Sequence, residues 1–429
     1  MPRETPAAAL PNLWHLYNLR ESPFFQDTLG STPVRHPLSL FVDRDAEARQ
    51  LLAVIGGSGS SRQAIAGPPG VGKTTLAQWV KARAIEADYW ATDELVPVYP
   101  GDSAEHLLGR LLGNVYDAAV AQRPAAADNP ALRDARQLVR VARLESVGGG
   151  VSALGIGASL SHGTSAVTPT GALLLDGPRV LRELLAFVRG AGAKGVVVHL
   201  NNLENLSERD AAAAADVLRS LRDTVLLQPG LHTLVVGTTE AVLTVTTAHA
   251  QLRSVFATPL VLAPLSPDGI NRLLAARYDY LMSDRRHAAT PPVAPRAVSA
   301  LARLFRGDLR SLLKALDEGA SVLIGIGRGK PGTPLAEREI RPVLQIRYEQ
   351  QMRMELPEPR VLQLRAWAQN DPAAHETQDS LRVRWKRSQG GVSKALRDLI
   401  VHGYVVALPR TAGQPATYAL SGASRLIFG

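Results

Sequence analysis

The chain has 429 residues, more than one ordinary domain holds, and 45% of them are apolar, so two or three domains with real cores are expected. The formal net charge is +9 and the pI is about 10.0, which favours an acidic polymer or an anionic surface as partner. The lack of cysteine excludes disulfides, thiolate zinc sites and thiol catalysis. Neither an apolar leader nor a run of about 18 apolar residues occurs, so we expect a cytoplasmic protein without a membrane span.

The first half of the chain alternates strands and helices. Residues 1–40 are rich in proline and aromatic residues and predict an arm that packs on the body of the protein. The segment DRDAEARQLLAVIGG predicts a helix, and RQAIAGPPGVGKTTLAQWVKARAI predicts a strand, a glycine loop and a helix. ELVPVYPG predicts a short strand and SAEHLLGRLLGNVYDAAV a helix. The range 124–178 is rich in glycine and serine, and predicts a hairpin insertion or a flexible loop. Regular structure resumes with a helix at 179–190, a strand at 195–200, a helix at 208–223 and a strand at 232–237.

The stretch GPPGVGKTT has the G-x4-G-K-S/T spacing of a phosphate-binding loop. Its glycines let backbone amides curl around phosphate oxygens, and the following helix adds the positive end of its dipole. Lysine reaches the outer phosphates and the threonine hydroxyl binds Mg²⁺. A strand before the loop and a helix after it satisfy the structural context that the motif requires. The loop predicts binding of ATP with Mg²⁺ by Gly67, Pro68, Pro69, Gly70, Val71, Gly72, Lys73, Thr74 and Thr75.

Further stretches arrive in an order that resembles the AAA+ ATPases, most of all the initiator branch with the origin-recognition ATPases. They are LFVDRDAEARQLL, HTLVVGTTE, QLRSVFATPLVL and RGDLRSLLKAL. The resemblance covers the chain from about residue 40 and implies an α/β fold: a P-loop AAA+ domain with a parallel sheet, a helical lid and a C-terminal winged helix-turn-helix. It implies an adenine pocket at Phe41 to Arg44, although many relatives carry glycine at the position of Asp43. It also implies a sensor 1 at Thr238 or Thr239, an arginine finger at Arg253 and a sensor 2 at Arg310.

In KGVVVHLNNLENL the apolar strand is followed by a departure from the pattern of that branch. Initiator-type ATPases continue with D-E-h-D-x-L, where h is apolar, whereas this chain has Asn201, Asn202 and then Glu204. An amide can accept a bond from a metal-bound water but brings no charge, and it cannot take a proton from the attacking water. We therefore expect ATP binding with Thr74 and Asn201 as metal ligands, and slow hydrolysis. Glu204 is the alternative catalytic base.

From about residue 358 the sequence predicts a helix, a short basic helix, a turn, a longer helix from Val392 and two strands. This pattern resembles a winged helix-turn-helix, whose third helix enters a DNA major groove. Ser388, Gln389 and Ser393 are candidates for contacts with base edges. The alternatives are a module for protein contact and a solvated basic face. The basic residues around the helix suit phosphate contacts: Arg382, Arg384, Lys386, Arg387, Lys394, Arg397 and, in the wing, Arg410.

The sequence as a whole predicts an ATP-dependent switch that binds duplex DNA and associates with itself through Arg253. Its role would lie in replication initiation, or in a mobile element or defence system. Three rivals stay open: a STAND-type regulator with the winged helix as an internal clamp, a transposon target-selection ATPase, and an active motor. The expected parts are an N-terminal arm 1–40, an AAA+ domain 41–265, a lid 266–328, a linker 329–357 and a winged helix 358–429.

Overall fold

The structure is a computed structural model, and it describes residues 12–27, 29–30, 36–152, 172–369, 371–408 and 414–429. The chain forms two compact units. One unit runs from Thr28 to Ala263, and the other combines Met1–Asp27 with Pro264–Gly429. The predicted arm 1–40 is therefore divided: its part up to Asp27 belongs to the C-terminal unit, and its part from Thr28 to the other unit. Among the described residues, no helix is long and apolar enough to cross a membrane.

The unit 28–263 is built on a parallel sheet with the order β2-β4-β5-β1-β6, and β3 also pairs with β4. β1 and β5 lie side by side over six residue pairs. Strands β4 and β5 are buried along their whole length and rich in valine and leucine, as expected for a parallel sheet covered on both faces. The strands are β1 (Ser61–Ala66), β2 (Tyr89–Trp90), β3 (Val96–Pro97), β4 (Gly195–Asn201), β5 (Leu231–Gly237) and β6 (Leu260–Val261).

Helices cover both faces of this sheet. Val197, Leu234 and Ile65 pack toward the first two helices, whereas Val196 and Val198 pack toward the later ones. A short π-helical turn, Arg222–Leu226, precedes β5. The helices of the unit are α1 (Asp45–Gly56), α2 (Lys73–Glu86), α3 (Ala104–Gln122), α4 (Pro130–Ser152), α5 (Ala172–Gly190), α6 (Glu208–Ser220), α7 (Thr239–Thr247) and α8 (Ala250–Arg253).

The range 124–178, predicted as a hairpin insertion or a flexible loop, begins instead with a long helix. α4 runs from Pro130 to Ser152 and buries Leu132, Ala135 and Val139 against α3. These side chains recur at intervals of three and four residues, which is the period of a helix. The glycine-rich composition that follows obscured this pattern. Most of the glycine-rich stretch, residues 153–171, lies outside the described part of the chain.

The second unit is helical in its first part and mixed at its C-terminus. Its three short strands form an antiparallel sheet of order β7-β9-β8. The helices of the first part are α9 (Pro267–Leu281), α10 (Pro295–Phe305), α11 (Leu309–Gly325) and α12 (Glu337–Glu355). The C-terminal part contains α13 (Glu358–Ala368), β7 (Glu376–Thr377), α14 (Gln378–Trp385), α15 (Gln389–Val401), β8 (Val405–Ala407), β9 (Thr417–Leu420) and α16 (Gly422–Phe428).

Two elements of this unit differ from the sequence expectation. The range 329–357, predicted as a linker, is mostly helix α12, which buries Ile340 and Leu344. α16 follows the last strand and packs on α10 and α12, where Gly422 lies so close to Phe305 that a β-carbon would stand 2.2 Å from its ring. Arg306 adds hydrogen bonds to the Ala373 carbonyl and to His375. The C-terminal module is thereby fixed to helices α10 and α12.

The N-terminal arm packs on α9 and α11 of the same unit. Tyr17, Leu19 and Phe24 are buried, and the Arg20 backbone amide donates to the Leu281 carbonyl. Arg277 is almost fully buried and donates to the carbonyls of Pro23 and Phe25. This burial lowers the pKa of Arg277 to about 10. Residues 12–27 of the arm are therefore an integral part of this unit.

Candidate nucleotide site and basic surface

The phosphate loop leaves β1 at Ala66 and ends where α2 begins at Lys73. Gly67 faces the edge of β6 so closely that a β-carbon would lie 2.9 Å from the Leu262 carbonyl oxygen, and Gly72 has a φ of 95°. These two positions require glycine. The Lys73 ammonium donates to the carbonyls of Gly67 and Pro68 at 3.1 and 2.9 Å. The loop is thus a tight turn directly before the N-terminus of α2, which is the arrangement that phosphate binding uses.

The carboxyl ends of β1, β4 and β5 meet at the same edge of the sheet. Ala66 is paired with Gly237, and Leu200 with Val235. The phosphate loop, Asn201 and Thr238 each follow one of these ends, so all three lie at one edge. A β-carbon on Gly237 would lie 2.6 Å from the β-carbon of Leu203, which shows how closely the turn after β4 packs on β5.

The buried strand β4 ends in two neutral amide side chains, Asn201 and Asn202. Asn201 is 7% exposed, and its side chain lies beside the imidazole of His199. Its amide nitrogen lies 3.4 Å from the Asn202 side-chain oxygen. Asn202 has a φ of 71°, a left-handed conformation that asparagine tolerates better than most residues. Glu204 lies on the exposed side of the turn 203–205.

The residues at this edge suit the magnesium ion that the motif implies only in part. Thr74 and Asn201 offer neutral oxygens, which suit the water molecules of a hydrated ion. Both positions that would supply carboxylates hold amides. Among the residues that the structure describes, no three His, Cys, Asp or Glu side chains come together to hold a metal. The oxygen ligands fit a hydrated ion, but the charge needed to hold it tightly is absent.

Beneath Asn201 lies a buried polar cluster that the sequence did not indicate. His199 is fully buried on the same face of β4, and burial holds the pKa of its imidazole well below the usual value, with Lys81 acting in the same direction. Lys81 is 2% exposed, and its ammonium donates to the carbonyls of Thr92 and Glu94. Gln78 donates to the Asp93 carbonyl. α2 therefore holds the loop between β2 and β3, and a neutral imidazole supports the end of β4.

The segment before α1 contributes one aromatic and one buried cation. Phe41 packs against Trp79 of α2, with ring centroids 6.2 Å apart. Asp43 has a φ of 60°, a left-handed conformation that glycine adopts without steric cost. Arg44 is buried and donates to the carbonyls of Ala263 (2.6 Å) and Val71 (3.4 Å), as well as to Glu47. Arg44 therefore clamps the phosphate loop to the segment after β6.

The other expected site residues fall in both units. Thr238 caps α7 by accepting a bond from the Ala241 amide, and Thr239 is the first residue of that helix. Arg253 is exposed at the end of α8 and donates to the Thr247 carbonyl. Arg310 is exposed in the first turn of α11, within the C-terminal unit. The roles of these four residues stay predictions.

The predicted reading helix is α15, and its solvent face is basic. Lys394 and Arg397 are exposed, while Val392, Leu396 and Leu399 on the opposite face are buried. Lys386 and Arg387 are exposed in the turn before the helix, and Arg382 is exposed on α14. Four exposed basic residues, which we call the α15 basic surface, thus lie on one short stretch: Lys386, Arg387, Lys394 and Arg397.

Three expected DNA contacts have other partners. Arg384 forms an ion pair with Glu376, which is 7% exposed, so the guanidinium serves a buried carboxylate. Gln389 and Ser393 both donate to the side-chain oxygen of Gln378. Ser388 caps α15. Arg410 lies outside the described residues.

The strand order and the phosphate loop between β1 and α2 have the arrangement of the P-loop AAA+ fold, so the predicted α/β class with a parallel sheet is confirmed. The winged helix stays a prediction. No family model and no curated protein matches the chain.

Among solved structures, the chain is similar to the ORC2 protein of Aeropyrum pernix in its ADPNP–ADP complexes. The TM-score is 0.49 and the identity 17%, over 94% of this chain and 95% of that one. It is also similar to Cdc6p of Pyrobaculum aerophilum, with a TM-score of 0.43 and 14% identity over 94% and 97% of the two chains. For the Aeropyrum pernix ORC1 protein in complex with DNA, the values are 0.39 and 14%, over 90% and 92%. The assignment of the fold rests on the strand order and the phosphate loop.

Proposed function

We propose that this protein is an ATP-binding switch with slow hydrolysis that binds duplex DNA through its C-terminal module. One observation carries the proposal: a complete phosphate loop stands beside a β4 end whose two acid positions hold Asn201 and Asn202. The loop amides, Lys73 and the start of α2 supply what binds a triphosphate. Neither amide takes a proton from water, so the bound nucleotide persists. Thr74 and Asn201 would contact Mg²⁺ that arrives with ATP.

DNA binding is supported by the arrangement of the C-terminal elements. α14, a turn and α15 form two consecutive helices, and the antiparallel strands β8 and β9 follow them. This order matches a winged helix-turn-helix, with α15 as the helix for the major groove. The α15 basic surface supplies four cations for phosphate contacts. Replication initiation and mobile-element or defence systems both need such a switch.

Self-association is the remaining part of the proposal. Arg253 is exposed, and its bond to the Thr247 carbonyl holds part of the guanidinium in place. A planar cation presented in this way suits the phosphates of a nucleotide bound to a second copy. Arg253→Ala should then reduce assembly in ATP, measured by sedimentation velocity, and leave ATP binding by the monomer unchanged.

The first experiment titrates fluorescent duplex DNA with the full chain, with and without ATP. Replacing Lys386, Arg387, Lys394 and Arg397 by alanine should weaken binding by two to three orders of magnitude at low salt and reduce its salt dependence. A matched control removes four exposed cations elsewhere in the same unit: Arg285, Arg296, Arg328 and Lys330. The control should bind nearly as well as the natural chain. Arg384 is left intact because its loss would leave the buried carboxylate of Glu376 without its ion-pair partner.

The outcomes separate the proposal from its rivals. Tight DNA binding that needs ATP and fails in Lys73→Ala supports the switch. DNA binding that is absent, or equal in the two four-fold variants, refutes the DNA-binding role and favours a module for protein contact. Steady ATP turnover near 1 per second or faster would identify a motor.

A further inference from the structure

We propose that this site binds the triphosphate itself, with Mg²⁺ as an optional partner of the nucleotide. The inference rests on the proposed ATP binding and adds the chemical form of the ligand to it. The phosphate loop is complete, whereas the end of β4 has no negatively charged side chain to bind a metal ion.

Charge is distributed unevenly at this edge of the sheet. On the side of the phosphates stand Lys73, the amides of the loop and the N-terminus of α2. On the side of the metal stand Asn201, Asn202 and the hydroxyl of Thr74, all neutral. The next carboxylate along the chain, Glu204, is exposed, whereas Asn201 is buried.

A carboxylate at position 201 would attract a divalent cation, and in the absence of that cation it would repel the triphosphate. Carboxylates at this position therefore make nucleotide binding depend on the metal. With asparagine, the attraction for the metal weakens and the repulsion of metal-free ATP disappears. Both changes reduce the difference between the affinities for ATP and for Mg–ATP.

The buried environment of residue 201 strengthens the effect of any charge placed there. Asn201 is 7% exposed, so a charge at its side chain would be poorly screened by solvent. Its side-chain oxygen is neutral and can accept a hydrogen bond from water, bound to an ion or not. Position 201 thus controls the dependence on the metal.

The test measures the affinity of the full chain for a fluorescent ATP analogue in Mg²⁺ and in EDTA, at constant ionic strength. We expect the two dissociation constants of the natural chain to agree within about threefold. Asn201→Asp should weaken metal-free binding by about tenfold or more, and Mg²⁺ should restore most of it. The matched control is Asn205→Asp, which adds the same charge at an exposed position of the same turn and should leave the ratio unchanged.

A second measurement reads the metal directly. In electron paramagnetic resonance, Mn²⁺ should bind to the natural chain with ATP no more tightly than to ATP alone, and more tightly to Asn201→Asp with ATP. Loss of ATP binding by the natural chain in EDTA, with binding kept in Mg²⁺, overturns the inference and leaves the proposed function standing. Equal responses of the two aspartate variants also overturn it. Absence of ATP binding in both solutions refutes the proposed function itself.

Discussion

The phosphate loop and the end of β4 lie at one edge of the sheet, yet only the phosphate loop has all the residues that its expected function requires. The loop keeps its backbone shape, its lysine and its threonine. The end of β4 has a buried strand, a tight turn and a close contact between Leu203 and Gly237, but amides occupy both positions where acids are expected. Binding of phosphate depends on backbone geometry, whereas hydrolysis depends on charge and proton transfer. The two functions can therefore separate without any change of fold.

The strongest test of this comparison restores the missing charge. The double change of Asn201→Asp and Asn202→Glu should raise ATP turnover by about 100-fold or more, because a positioned general base contributes that much. Phosphate release is the measurement. Residue 202 has a left-handed φ of 71°, which glutamate tolerates less well than asparagine, so the variant should also lose about 1 kcal/mol of stability.

A companion variant separates charge from strain. Asn202→Asp, combined with Asn201→Asp, places an acid at both positions with a side chain that suits the left-handed conformation. Unchanged turnover in both double variants, with ATP still bound, would show that the end of β4 has lost its geometry as well as its charge.

The reverse test removes the cation of the loop. Lys73→Ala should weaken ATP binding by about 3 kcal/mol, on the order of 100-fold, because a charge-assisted contact with phosphate is lost. Isothermal titration calorimetry measures the affinity. Arg83→Ala on the exposed face of the same helix is the control, since it removes an equal charge away from the loop. Equal affinities of the two variants would contradict the assignment of the site.

A buried histidine on β5 should make the stability of the protein depend on pH. His232 on β5 is buried, and burial with Arg62 nearby lowers the pKa of its imidazole to about 4. The unfolded chain has the ordinary value near 6.5 and binds the proton first, so stability falls as the pH drops through 6.5 toward 4. The expected loss at pH 5 is about 2 kcal/mol from this residue. Urea titrations at several pH values measure it.

His232→Gln isolates the contribution of this residue. A neutral side chain at position 232 should flatten the pH dependence between 5 and 7 by the same amount, whatever it does to stability at neutral pH. A pH profile as steep as that of the natural chain would assign the effect to other groups, His199 first among them.

The sequence predicts the site better than its surroundings. Gly67, Lys73 and the frame around Asn201 are local patterns with fixed spacing, so the phosphate loop and the strand β4 could be found without a structure. α12 was hidden by its glycine- and proline-rich neighbours, and α4 by the glycine-rich stretch after it. The pairing of Arg384 with Glu376 and the buried cluster around Lys81 and His199 depend on tertiary contacts. No spacing in the chain shows these contacts in advance.

The smallest effect concerns the clamp between the loop and the segment after β6. Arg44→Lys keeps the charge but loses the fork that reaches the carbonyls of Val71 and Ala263 together with Glu47. We expect a loss of about 1 kcal/mol in stability and of a few-fold in ATP affinity, because the loop is then less well ordered. Glu47→Gln, which spares both carbonyl contacts, should retain the natural affinity. If Arg44→Lys binds ATP like the natural chain while Phe41→Ala does not, the adenine pocket depends on the aromatic ring and the clamp serves stability alone.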